Sequence, residues 1–99
     1  MDQTVATFYL FAKLDDCESF RELLQKECNE SEVLGTIILA TEGVNATIAG
    51  PKEGVDKVLA FIRSDKRLAK IPHRECPTKR LTFHRLRIII RPEIVTLGD

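Results

Sequence analysis

Few side chains of this sequence have the chemistry of a nucleophile, a general base or a metal ligand. The three cysteines are Cys17, Cys28 and Cys76, an odd number with no C-x-x-C pair, and the two histidines are His73 and His84. Zinc sites require clustered Cys and His ligands, and disulfide frameworks pair an even number of cysteines. We therefore expect no metal site, no cofactor and no catalytic residue within this chain.

Each of these residues has a structural interpretation. Cys17 and Cys28 fall on one apolar helical stripe, so we expect them in the core, although a helix start near Cys17 would tend to lower a thiol pKa. Cys76 precedes Pro77 in a predicted loop that contains no neighbouring base. Both histidines lie in a basic segment, where a surface or strand position is favoured over general-base catalysis.

The charged residues are segregated along the chain. Residues 1–65 carry twelve acids and six Lys or Arg residues, a net charge of −6, whereas residues 66–91 carry nine Lys or Arg residues and one acid, a net charge of +8. A clustered basic surface releases counterions when it binds a polyanion, and this effect dominates nucleic-acid affinity. The segregation favours a polyanionic partner. The alternative is that the basic segment faces acidic helices of the same domain.

Arginines mark the last predicted strand and the loop before it. Because side chains alternate along a strand, these arginines share one face and the aliphatic residues between them share the other. A guanidinium group binds phosphate through a planar fork of donors. In the competing interpretation, Arg85 and Arg87 pair with acids of the first helix. The predicted polyanion-binding residues are Lys79, Arg80, Arg85, Arg87 and Arg91.

A second candidate site is the stretch that contains Glu42, Gly43 and Asn45. Glycine allows positive φ and close backbone approach, while the carboxylate and the amide stand on either side of a turn. The alternative is turn chemistry alone, since Asn and Gly are good turn formers.

The apolar pattern of the first half predicts a strand, a helix and a hairpin. Residues 4–13 are rich in β-branched and aromatic residues, and both alternating sets within residues 8–11 are apolar, which indicates a strand with two apolar faces. Asp15 is the predicted N-cap of a helix whose buried stripe recurs every three to four residues from Cys17. Residues 36–40 and 45–49 are β-branched strands joined by a loop over residues 41–44.

The second half continues with a helix and one or two strands. Pro51 opens the helix, which ends near Ser64 and buries Val55, Val58, Leu59 and Ile62. Residues 71–76 are a weak strand, residues 77–80 a loop and residues 86–91 a strong strand.

This order of elements is the split β-α-β pattern. It predicts an α+β, ferredoxin-like antiparallel sheet with both helices on one face, in a single domain over residues 1–99. Tyr9 and Phe11 cannot face the helices if Phe8 and Leu10 do, so we expect an apolar patch on the opposite face of the sheet. The apolar runs are too short to cross a membrane. The N-terminus carries the acidic Asp2 where a signal peptide would carry positive charge. The expected location is therefore the cytoplasm.

Two blocks carry a resemblance to a known family. Residues 40–50 resemble A-x-E-G-[IV]-N-[AG], and residues 86–98 resemble L-[KR]-[VI]-x-[VI]-[RK]-x-E-I-V-x-[LF]-G, both from the rhodanese-related tRNA uridine hydroxylases. The aromatic first strand, the helix with residues 20–24 and the position of Gly35 also match in order. The resemblance covers essentially the whole chain.

The resemblance implies an N-terminal acylphosphatase-like domain, normally followed by a rhodanese domain that holds the active-site cysteine. The intact protein would be an oxidoreductase of tRNA processing that hydroxylates the wobble uridine with oxygen. None of the cysteines here matches the catalytic position, so the chain by itself is expected to be inactive and to be part of a longer protein. The implied function is tRNA binding and packing against the rhodanese domain, and the alternative is a protein–protein interaction domain with no RNA role.

Two other activities are disfavoured. True acylphosphatases have an Arg-bearing, glycine-rich phosphate loop after the first strand, whereas residues 14–18 here are acidic and lack glycine. An RRM-like mode is disfavoured because residues 45–49 lack the stacking aromatics that such modules present.

Overall fold

The structure, a computed structural model, describes residues 3–78 and 84–91 as one sheet with two helices and a short 3-10 turn. The elements are β1 (Gln3–Phe11), α1 (Cys17–Glu30), β2 (Leu34–Ala40), β3 (Gly43–Gly50), α2 (Lys52–Arg63), the 3-10 turn Lys66–Leu68, β4 (His73–Thr78) and β5 (Leu86–Ile90). None of the helices in these ranges is long and apolar enough to cross a membrane.

The strand order is β4-β1-β3-β2-β5. The first four strands of this order are antiparallel, which confirms the ferredoxin-like α+β fold, but β5 lies parallel to β2 and makes the sheet mixed rather than antiparallel. The strand pattern of residues 86–91 predicts that they are extended, but it does not predict which edge strand of the sheet they pair with. Leu86 and Ile88 pack against the core, with Ile88 opposite Ile37, and this contact stabilises β5 beside β2.

Both helices pack on one face of the sheet and enclose the core. Each helix buries the stripe predicted from its periodicity, and Phe20 of α1 stacks on Phe61 of α2 with ring centroids 6.0 Å apart. Beneath them, β1 contributes Ala6 and Phe8. The buried helical residues are Cys17, Phe20, Leu24 and Cys28 in α1 and Gly54, Val55, Val58, Leu59 and Ile62 in α2.

Two local predictions were wrong by one or two residues. The N-cap of α1 is Asp16 and not Asp15, and no side-chain hydrogen bond caps the helix. The Asp16 carboxylate instead accepts a hydrogen bond from Arg67 at 2.7 Å, so a tertiary ion pair uses the group that would otherwise cap. β4 extends through Pro77, which the edge of the sheet tolerates because an edge strand does not need every N–H.

The β2–β3 hairpin is tighter than the predicted four-residue loop. Ala40 pairs with Gly43, which leaves only Thr41 and Glu42 in the turn. Gly43 has φ +149°, a backbone conformation that favours glycine. Gly35 has φ +131°, and a Cβ there would collide with the carbonyl oxygen of Thr47. These two glycines let β2 and β3 pair along their full length.

Candidate nucleic-acid interface

The sheet has a second face, turned away from the helices, which we call the outer face. Its strand residues follow from the register: Phe8, Ala46 and Ile37 are paired neighbours on the buried side, so the residues on either side of them point outward. The described outer-face residues of the strands include Thr7, Tyr9 and Phe11 (β1), Asn45 and Thr47 (β3), Thr36 and Ile38 (β2), Arg74 (β4) and Arg87 and Ile89 (β5).

Arginine is the charged residue type of the outer face. Arg74 and Arg87 stand on the two edge strands, and Arg85 continues the alternation just before β5, where its carbonyl accepts a hydrogen bond from Gly35. All three are exposed. No Asp or Glu stands among the outward-pointing strand residues within 3–78 and 84–91, so the charged side chains that these strands place on the outer face are all positive.

Arg91, which alternation along the strand places with the other two, has a different setting. It follows β5, and its N–H bonds the carbonyl of Leu39. It is exposed and borders a shallow groove with Asp15, Asp16 and Glu18 at the start of α1. Arg91 therefore stands at the rim of the outer face. The predicted residues Lys79 and Arg80 lie outside the described residues.

The interpretation that Arg85 and Arg87 neutralise acids of the first helix finds no contact in the structure. No ion pair joins either arginine to an acid among the described residues. The arginine of the basic segment that does pair is Arg67, whose guanidinium bonds Asp65 at 2.6 Å and Asp16 at 2.7 Å. Hydrogen bonds from Arg67 hold the pKa of both carboxyls below the ordinary range.

A row of threonines crosses the outer face between two arginines. Arg74 pairs with Thr7, Thr7 with Thr47, Thr47 with Thr36, and Thr36 with Arg87. Four strand spacings separate the two ends, about 19 Å at roughly 4.8 Å each. We call these five residues the threonine row. Hydroxyl and guanidinium groups in this arrangement are the donors that proteins use for phosphate and sugar contacts.

The edge strand β4 is fixed by a polar chain on its helix side. Lys52 bonds Glu75 at 2.6 Å, Glu75 accepts from His73 at 2.9 Å, and Arg63 donates to Nδ1 of His73 at 2.6 Å. Because arginine can only donate, Nδ1 is the acceptor and the ring proton sits on Nε2, facing Glu75. Above all the hydrogen bond from Lys52 lowers the pKa of Glu75. With His73 and Glu75 held inward, Arg74 between them points outward.

The three predicted hairpin residues take different positions. Glu42 is exposed in the turn, Gly43 is buried at the start of β3, and Asn45 is 5% exposed on the outer face, paired with Tyr9 and Ile38. Asn45 lines a groove of about 450 Å³ with Thr7, Tyr9, Phe8, Pro72, His73 and Arg74. The structure thus connects Asn45 with β1 and β4.

Sequence reasoning named neither Arg74 nor the threonines as site residues. Alternation along β1 and β4 predicts that Thr7 and Arg74 each point to one face of the sheet. That they are neighbours follows only from the register, which pairs Thr7 with Arg74. Tyr9 and Phe11 were expected on this face, and they are 50% and 61% exposed there, in T-shaped contact with ring centroids 6.1 Å apart.

Comparison with known proteins assigns the chain to a family. Residues 3–94 match the UPF0176 acylphosphatase-like domain. The chain belongs to this family. Relatives named tRNA uridine(34) hydroxylase are 45% identical over 93 residues in Albidiferax ferrireducens and 44% identical over 97 residues in Agrobacterium fabrum. These matches cover 94% and 98% of this chain but only 29% and 31% of the relatives, so this UPF0176 domain corresponds to their N-terminal part.

Solved structures support the fold of the UPF0176 domain. Acylphosphatase from Bacillus subtilis superposes with a TM-score of 0.59 at 15% identity, covering 92% of this chain and 100% of the enzyme. The BLUF protein BlrB gives a TM-score of 0.69 at 21% identity, covering 92% of this chain and 75% of that protein. At these identities the likeness concerns the architecture alone.

Proposed function

We propose that this UPF0176 domain is a noncatalytic, tRNA-binding part of a cytoplasmic tRNA wobble-uridine hydroxylase, an oxidoreductase of tRNA modification. The names of the relatives support the substrate class, and the outer face supports the mode of binding. In this proposal the domain presents a basic surface to the RNA backbone, and the hydroxylation chemistry belongs to a rhodanese domain of the longer protein.

The observation that carries the proposal is the threonine row, which ends in an arginine on each edge strand and has no acid among the described strand residues of the outer face. Phosphate and sugar contacts from Arg and Thr position a nucleic acid without reading its sequence. The outer face offers the groups for such positioning contacts with an RNA backbone.

The two cysteines of α1, Cys17 and Cys28, are buried in the core. Cys28 is fully buried, and burial raises the pKa of its thiol to about 12. Burial also raises the pKa of Cys17, whose Sγ bonds the carbonyl of Leu14. A thiol acts as a nucleophile only as the thiolate, so both cysteines are packing residues. Cys76 is exposed on the edge strand β4.

A second part of the proposal concerns packing against the rhodanese domain. Leu23 on α1 is 57% exposed, and Ile90 at the end of β5 is 36% exposed. β5 is an edge strand whose outer side pairs with no described strand. The apolar side chains and the edge of β5 suit a contact with another domain, which leaves the outer face to RNA.

Salt-dependent tRNA binding tests the proposal. With four or five phosphate contacts, the logarithm of affinity should fall against the logarithm of salt concentration with a slope of about −3 to −4. The variant Arg85→Glu/Arg87→Glu should bind at least about tenfold more weakly at 0.15 M salt and should show a shallower slope, because two contacts are lost.

A charge-matched control separates a local contact from a change in net charge. Lys26→Glu/Lys57→Glu makes the same change on exposed positions of α1 and α2. We expect this control to keep most of the affinity and the full slope. Equal losses in both variants, or weak binding with a flat salt response in the unmodified chain, would reject the RNA interface and favour a protein interaction domain.

A further inference from the structure

The groove between β1 and β4 combines three kinds of group on one surface. Tyr9 presents a half-exposed ring, Thr7 a hydroxyl, and Arg74 a guanidinium, while Asn45 lies in the floor. Its volume of about 450 Å³ lies within the range of small-ligand sites. Among the described residues the groove has no acidic lining.

The ring of Tyr9 is held in place before any ligand arrives. Phe11, two residues along the same face, contacts it edge to face with an angle of 89° between the rings. The β1 backbone that carries the ring is paired with β3 from Thr4 to Phe11, and Tyr9 lies opposite Asn45. A ring that is both exposed and braced loses little freedom when a flat ligand stacks on it.

Arg74 is available to a ligand. It is exposed, and no side-chain hydrogen bond or ion pair joins its guanidinium to another residue within 3–78 and 84–91. The polar chain through His73 and Glu75 fixes the backbone on either side of it. The guanidinium therefore projects from a rigid strand beside the exposed ring of Tyr9.

These groups match the parts of one nucleotide. The π-face of a base stacks on an aromatic ring, and a phosphate binds a guanidinium. Among the described strand residues of the outer face, the aromatic ones lie on β1, and β3 carries Gly43, Asn45, Thr47 and Ala49. The surface is thus sized for a single base and differs from a multi-base stacking platform.

We infer that the groove binds one unpaired nucleobase of RNA, stacked on Tyr9, with its phosphate on Arg74. This inference rests on the proposed tRNA-binding function and assigns the single-stranded part of the RNA to the β1–β4 end of the outer face. The threonine row then leads the backbone from Arg74 toward Arg87. Duplex RNA cannot use the groove, because its bases are already stacked.

The sequence provides a direct probe of the ring. The chain contains one tyrosine and no tryptophan, so intrinsic tyrosine fluorescence reports on Tyr9 alone. Titration with a single-stranded oligouridine should quench this fluorescence, and titration with a blunt RNA duplex should not. The same titrations with a labelled oligonucleotide give the affinity of variants that lack the tyrosine.

Three variants test the assignment. Tyr9→Leu should weaken oligouridine binding by about 5- to 150-fold, the range for loss of one stacked base, and should leave duplex binding unchanged. Tyr9→Phe keeps the ring and should retain the affinity, which also controls for folding. Arg74→Gln should reduce the salt slope for the single strand by about 0.7, as expected for one lost phosphate contact.

The outcomes separate this inference from the broader proposal. Unchanged affinity in Tyr9→Leu together with unquenched fluorescence would overturn the groove, even where Arg85→Glu/Arg87→Glu abolishes tRNA binding and so upholds the basic interface. Conversely, quenching by oligouridine with tRNA binding that is insensitive to the Arg85 and Arg87 changes would support the groove and reject the wider interface.

Discussion

The helix side and the outer face of the sheet treat their charges differently. On the helix side, charged groups pair: Lys52 with Glu75, and Arg67 with Asp65 and Asp16. On the outer face, Arg74 and Arg87 have no acid among the described strand residues beside them, and no ion pair joins Arg74, Arg85 or Arg87 to a described acid. Both regions draw their arginines from the same basic stretch of sequence. The position in the fold decides whether an arginine stabilises the domain or remains available to a partner.

This difference refines the meaning of the basic segment. The net charge of +8 over residues 66–91 is a sum along the sequence, and it does not say which of these charges lie together on one surface. Arg67 adds little positive charge to the surface, because Asp65 and Asp16 pair with it. Arg74 contributes its charge to the outer face, because the alternation of β4 turns it outward. The contrast is therefore best tested with pairs of similar residues, one from each side.

The largest expected effect comes from two phenylalanines of the same strand. Phe8 on the helix side is 2% exposed, and Phe11 on the outer face is 61% exposed. Phe8→Ala should lower the free energy of unfolding by about 3–5 kcal/mol, since it opens a cavity in the core. Phe11→Ala should change it by about 0.5 kcal/mol or less but should weaken oligouridine binding, because Tyr9 loses its brace.

Urea unfolding followed by circular dichroism measures the first effect, and anisotropy with labelled oligouridine measures the second. Phe8→Leu provides a milder change should Phe8→Ala fail to fold. Comparable destabilisation by Phe8→Ala and Phe11→Ala would show that the outer face is covered in solution, which contradicts the distinction between the two sides.

The sequence predicts those features that depend on local periodicity. The apolar residues of α2 recur at helical spacing, and all four predicted positions, from Val55 to Ile62, are buried. The two apolar sets of β1 divide as expected, with Phe8 inward and Tyr9 outward. Such features are readable because each element must bury its own stripe.

Features that depend on which elements meet are not readable in this way. The parallel pairing of β5 with β2, the use of Asp16 by Arg67 and the row from Arg74 to Arg87 all join residues far apart in sequence. Periodicity predicts which residues lie on each face of a strand, but it does not predict which strands pair with each other. The order of the elements and the family resemblance both predict the fold, yet the motif around Asn45 gave no indication that its neighbours on the outer face would be Tyr9 and Ile38.

A smaller effect is expected from two arginines of the basic segment. Arg67→Met removes the bridge between Asp65 and Asp16 and should lower the free energy of unfolding by about 1 kcal/mol or less, as for partly exposed ion pairs. Arg87→Met should leave stability unchanged and weaken tRNA binding severalfold. Thermal unfolding and salt-dependent tRNA titration of both variants give the four values. A loss of tRNA affinity in Arg67→Met equal to that in Arg87→Met would place both arginines at the interface.

The smallest effect is the acid dependence of stability. Hydrogen bonds from Arg67 hold the pKa of Asp65 and Asp16 below the ordinary value of 3.8, and the bond from Lys52 lowers the pKa of Glu75. A carboxyl whose pKa is lower in the folded state contributes stability above its unfolded pKa, and the contribution is lost as pH falls through the folded value. Stability should therefore be flat near neutrality and decline below about pH 4. Arg67→Met should decline less steeply, since Asp65 and Asp16 then titrate alike in both states, whereas Arg87→Met should keep the full decline. Urea midpoints between pH 3 and pH 7 measure both slopes, and identical acid limbs in the Arg67→Met and unmodified chains would mean that these carboxylates are unpaired in solution.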